Sequence, residues 1–155
     1  MWREQYRRIH RYRKKIENNK FIVRPYAIGY SKPDEEYFDD VYSCIQHLHH
    51  LKDWLISTGD ITSGEANELI NKNPELQMVQ DICNGTKHLT TKFRERDFSI
   101  TTKTRLAFQD SKVSTGEIEF YCTISYDNSD HDTSELMRKV VDIWDKYLKS
   151  KNLLH

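Results

Sequence analysis

The chain has 155 residues, 37% hydrophobic and 12% aromatic, and its 24 basic and 24 acidic residues balance to zero net charge. That length suits one domain able to bury a core without staples, and the composition is globular rather than disordered. No run of about 18 apolar residues is present, so no membrane span is expected, and "MWREQYRRIHRYRKK" lacks the apolar stretch of a secretory signal.

Taken in chain order, residues 2–18 read as an amphipathic helix, with Trp2, Tyr6, Ile9 and Ile16 at helical spacing among basic residues. Asn18-Asn19, Pro25, Gly29 and Pro33 then punctuate a short apolar segment. A second helix is expected over about 33–57, with Ser31 as N-cap and Pro33 in its first turn. Its stripe is Phe38, Val41, Tyr42, Ile45, Leu48, Leu55 and Ile56. Thr62 with Glu65 forms a capping box for a short third helix. Asn73 and Pro74 read as the N-cap and first residue of a fourth, running to about residue 90.

The pattern then changes. "DFSITTKTRLAF" and "GEIEFYCTISY" are rich in Thr, Ile, Phe and Tyr and alternate, which predicts a β-hairpin with strands near 97–108 and 117–126. Asp132 with Glu135 caps a closing helix whose stripe is Leu136, Val140, Ile143, Trp144 and Tyr147. The expected fold is α+β with helix dominant: a small helical bundle carrying one antiparallel β-hairpin before the last helix. Residues 1–155 form a single domain, made of a basic arm (1–24), a helical core (33–90), the hairpin (97–126) and the C-terminal helix (132–150).

Charge is unevenly placed along this frame. Residues 1–24 carry nine Lys or Arg against Glu4 and Glu17, whereas residues 34–40, "DEEYFDD", hold five acids and no base. A second basic cluster runs through Lys87, Lys92, Arg94 and Arg96. Two readings stand side by side: a nucleic-acid surface, or a basic arm that pairs with the acidic segment of its own chain or of a partner's. The arm also mixes Trp2, Tyr6 and Tyr12 with arginines, so cations could follow phosphates while rings stack bases. Its spacing equally suits a helix packed on the bundle or an arm that forms a homodimer.

The fourth helix carries "QDICNGTKHLTTKF". On a helical wheel Leu76, Val79, Ile82, Cys83, Thr86 and Leu89 share the core arc, while Asp81, Asn84 and His88 fall together on the opposite side with Lys87 beside them. A solvated face is the plain explanation. Against it, Asn and His are mediocre helix formers, and a face free to choose would favour Glu, Lys or Gln. The second helix offers His50 and Asp53 as i,i+3 neighbours, and four polar groups would converge if that side met the Asn84–His88 face. His49 falls within that helix's apolar stripe and reads as a core histidine.

"CNGTKH" resembles the signature of the HEPN superfamily, helical ribonuclease and nucleotide-binding domains of prokaryotic defence and toxin systems. Asn84, the three-residue spacer and His88 match the end of that motif; Cys83 stands where the family has Arg. "HHLKDW", "DICNGTKH" and the late "VVDIWDKYL" also resemble a group of uncharacterised bacterial proteins. The HEPN resemblance implies metal-independent RNA cleavage, in which the 2′-hydroxyl attacks its own phosphate. His88 would then handle the proton, Asn84 would orient substrate or His, and Lys87 would supply charge. Asp81, His50, Asp53, Arg94 and Arg96 would contact substrate. A thiol cannot replace the bidentate guanidinium clamp, which weighs toward binding over catalysis.

Other chemistries find less in the sequence. His50, Asp53, Asp81 and His88 are acceptable ligand types for a divalent ion, but no ligand motif of recognised spacing is present, so no metal or other cofactor is expected. Cys44, Cys83 and Cys122 are odd in number and widely spaced, fitting neither a disulfide framework nor a zinc set. They are expected to be reduced thiols in a cytoplasmic protein. The functional expectation is an HEPN-like RNA-binding protein, with a non-catalytic protein-interaction module as the alternative.

Overall fold

The computed structural model describes residues 1–18, 21–23, 35–87, 98–109 and 113–154. Among these residues five helices and four strands follow in the order α1 (Trp2–Asn18), β1 (Phe21–Val23), α2 (Glu35–Ser57), α3 (Ser63–Lys72), α4 (Pro74–Lys87), β2 (Phe98–Gln109), β3 (Val113–Tyr126), β4 (Ser129–Asp132) and α5 (Thr133–Ser150). The fold is α+β and helix-dominant, with the hairpin ahead of the last helix. The expected Ser31 N-cap and the first-turn Pro33 lie outside the described residues.

The helices pack by their apolar stripes. Trp2, Ile9 and Ile16 recur every seven residues on α1 and are all buried. They meet Val41, Cys44, Ile45, Leu48, Leu51 and Leu55 of α2 and Leu136, Met137, Val140, Val141, Trp144 and Leu148 of α5 in one continuous core. The polar flanks fix the register of α1. Lys15 reaches Asp40 at 2.8 Å and Tyr12 lies against His47, so α1 runs antiparallel to α2. On its other side Tyr6 donates to Asp145 at 2.6 Å and Arg3 to the carbonyl of Leu153, an antiparallel register on α5 as well. Cys44, Cys83 and Cys122 are buried and none is in a disulfide, and burial pushes the Cys44 thiol up to about 12.

The hairpin is longer than its alternating core. β3 begins at Val113, inside the stretch expected to be the connecting loop, and pairs with β2 from Phe98↔Tyr126 out to Gln109↔Val113. The sheet also holds two strands that the sequence pattern did not reveal. β1 pairs antiparallel with β3 at Phe21↔Phe120, and β4 pairs with β3 from Thr123↔Asp132 to Tyr126↔Ser129. One edge of β3 is therefore taken by β2, and the other by β1 and β4 in tandem. β3 turns into β4 through Asp127 and Asn128, both with positive φ (51° and 61°), the backbone of a two-residue type I′ turn.

Candidate functional site

The polar turn of α4 does not face water as a unit. Asp81 is only 7% exposed, and the Tyr126 hydroxyl, itself in the core, donates a hydrogen bond to its carboxylate. One turn further on, the ring of Phe98 lies against Gly85, where a Cβ would overlap it. Phe98 and Tyr126 are opposite each other in the β2–β3 register, so the end of the hairpin sits on Asp81 and Gly85. This corrects the expected solvated face. A wheel with one core arc presumes one buried side, but α4 has α2, α3 and α5 beside it as well as the hairpin end. Met78 and Asp81 are consequently buried along with the expected Leu76, Val79, Ile82 and Cys83.

The remaining expected site residues are dispersed. Asn84 is half-buried on α4, beside Gly85. Lys87 is the last described residue of α4, and its side chain lies outside the described residues, as do His88, Arg94 and Arg96. On α2, His50 Nδ1 and Asp53 Oδ2 are 2.9 Å apart, and Lys52 reaches the same carboxylate at 2.8 Å. Burial works to raise the Asp53 carboxyl, but the hydrogen bonds from Lys52 and His50 outweigh it and hold the group below its ordinary range. His49, expected in the core, is half-buried with its ring 5.1 Å from that of His50.

A second constellation is more completely built. Arg8, Arg11, Tyr12 and Lys15 occupy positions i, i+3, i+4 and i+7 of α1 and so share one face. With His47 of α2 they line a cleft of about 340 Å³. The Tyr12 and His47 rings stack with centroids 5.4 Å apart and planes 27° from parallel. Acids hold the cations in place. Glu4 Oε1 lies 3.2 Å from Arg11 and 3.7 Å from Arg8, and the Arg11 hydrogen bond keeps the Glu4 carboxyl below its usual range. The Asp40 hydrogen bond raises the Lys15 ammonium above its ordinary value. The expected pairing of the basic arm with the acidic segment is thus real at Lys15, through Asp40 and Glu36.

Arg7, Arg8 and Arg11 share the one carboxylate of Glu4, which leaves positive charge in excess at that end of the cleft, whereas Lys15 is matched by Asp40 and Glu36. His47 answers this: burial first, then the charges of Arg8, His50 and Arg11, lower its pKa from the ordinary 6.5. A neutral imidazole stacked on a phenol therefore stands among three cations. Such a cleft can hold an anion and offer a ring face, which are the two things a nucleotide presents. The sequence displays the α1 face, but His47 joins it only through the antiparallel packing of α1 on α2.

A second cavity, of about 280 Å³, lies where α4 begins beside β4 and the start of α5. Three of its four acids are engaged: Asp130 by Lys103 and Ser125, Glu135 by Lys139, and Asp132 by the Glu135 N–H it caps. Among the described residues no group of three or more His, Cys, Asp or Glu side chains is arranged to hold a metal ion. No described helix is long and apolar enough to cross a membrane. Compared with family models, curated proteins and solved structures, the chain matches none.

Proposed function

We propose that the protein binds single-stranded RNA, with phosphates held along α1 and a nucleotide entering the α1–α2 cleft. The observation that carries this reading is the convergence of Arg8, Arg11 and Lys15 with the stacked Tyr12–His47 pair. Lys and Arg release counterions from phosphates, and an aromatic face accepts any base, so the site favours sequence-tolerant binding. RNA retention on a filter at increasing salt tests it. Replacing Arg8 and Arg11 with Gln should weaken binding and lower the slope of log affinity against log salt by about 0.7 per lost contact. Salt-independent retention, or none, would contradict it.

The HEPN-like reading adds metal-independent cleavage, with His88 as the proton-transfer group and Asn84 beside it. Lys87, Arg94 or Arg96 would supply the charge that the motif's Arg supplies elsewhere. Loss of cleavage in His88→Ala, with chelator present throughout, is the expected result, and a wild type that never cuts RNA removes the enzyme. The interaction-module reading gains from one observation: Asp81 and Gly85 of the same turn serve to seat the hairpin.

A further inference from the structure

Arg8, Arg11, Tyr12 and Lys15 face His47 from α1, and His50 adds charge from its own helix. Glu4 lies behind the two guanidiniums, and Asp40 and Glu36 hold Lys15. An occupant bearing a phosphate group would bring negative charge into the midst of these cations and against the imidazole. We propose that the cleft is a proton-linked phosphate site, in which His47 becomes protonated as a phosphate group seats between Arg8, Arg11 and Lys15.

The inference rests on the RNA-binding reading for its natural ligand, and on the cleft alone for its chemistry. Burial, and after it the surrounding cations, disfavour an imidazolium at His47. A phosphate removes both objections, because it offsets the cations and offers an acceptor to the ring N–H. The sign follows: the group is neutral when free and charged when bound across the window between its two pKa values. Affinity therefore rises as pH falls through that window, by up to about tenfold per pH unit for one proton. A histidine in this position makes the cleft respond to mild acidification, which a site of arginines alone would not do.

The test uses the full chain with two probes, a labelled single-stranded oligouridylate and inorganic tripolyphosphate, from about pH 8 to about pH 6. Binding of both should tighten as pH falls. His47→Gln should flatten the dependence while His131→Gln, in the other cavity, keeps it. Should His47→Gln fail to fold by circular dichroism, calorimetry of the wild type in two buffers of different ionisation heat replaces it. Buffer-dependent heats showing proton uptake support the proposal, and buffer-independent heats overturn it. Tripolyphosphate binding with a His47-dependent slope, without RNA binding, keeps the phosphate site and removes the RNA reading. RNA binding with a slope that survives His47→Gln, or with no slope, overturns the proposal and leaves the RNA reading standing. Failure of both probes to bind also overturns it.

Discussion

Tyr126, the last residue of β3, donates its hydroxyl hydrogen to the carboxylate of Asp81 in the third turn of α4, with both side chains buried. The bond ties the sheet to the helical bundle at a point where sequence alone suggests a solvated or substrate-contacting acid. A hydrogen bond to a charged group contributes more than a neutral one, about 1.5–3 kcal/mol. Tyr126→Phe should therefore lower stability to denaturant by about that much, while Asp81→Asn, which keeps an acceptor, should cost less. An unchanged unfolding midpoint in Tyr126→Phe would show that the bond contributes nothing.

Gly85 makes a second, opposite-signed test of the same seat. Replacing a helical Gly with Ala ordinarily stabilises by up to about 1 kcal/mol. At Gly85 the new methyl would overlap the Phe98 ring, and overpacking of this kind costs about 1–3 kcal/mol. At Gly64 of α3 the nearest atom, Thr62 Oγ1, is 3.8 Å away. Thermal melts should thus place Gly85→Ala below the wild type and Gly64→Ala at or above it.

The turn between β3 and β4 should be open to improvement. Asn128 has φ 61°, a conformation that Asn tolerates and Gly adopts freely. Asn128→Gly is expected to leave stability equal or slightly higher, whereas Asn128→Val should lose about 1–2 kcal/mol to backbone strain. Equal melting temperatures for the two variants would argue against the type I′ geometry.

Glu65 joins α3 to the end of α5. Its hydrogen bond from Lys151, followed by those from the Thr62 backbone and hydroxyl, lowers its pKa from 4.5 to about 2. A depressed carboxylate stabilises the fold above its ordinary pKa and loses that contribution as pH falls toward the depressed value. Glu65→Gln should therefore be less stable than the wild type at neutral pH, and the two should converge between about pH 4.5 and about pH 2. Parallel stability curves down to pH 2 would contradict this.

What the sequence disclosed is what short-range chemistry decides. The Thr62–Glu65 capping box is complete, with Glu65 N–H donating to Thr62 Oγ1 at 3.2 Å and Thr62 N–H donating to Glu65 at 2.7 Å. Asp132 likewise accepts from the partner expected of it, the Glu135 N–H, at 2.9 Å. Asn73 is a mixed case. Its carbonyl accepts from Leu76 and Gln77 as the start of α4 requires, but its side-chain amide donates back to the Leu69 carbonyl and closes α3. β4 could not be seen because "SDHD" pairs through its backbone and carries no apolar alternation. Asp81 reads as solvated from its own helix because its partner, Tyr126, lies 45 residues away, and no local period announces a helix buried on two sides.

The same limit applies to the cleft. The spacing of Arg8, Arg11, Tyr12 and Lys15 marks a helix face, whereas its meeting with His47 is a tertiary event. In the proposed function, RNA phosphates enter there. Titrating isotope-labelled protein with single-stranded oligouridylate and following the NMR spectrum tests it most directly. Saturable shifts are expected at Arg8, Arg11, Tyr12, Lys15 and His47. Shifts confined to Asn84 and its neighbours, or no shift at any residue, would contradict it.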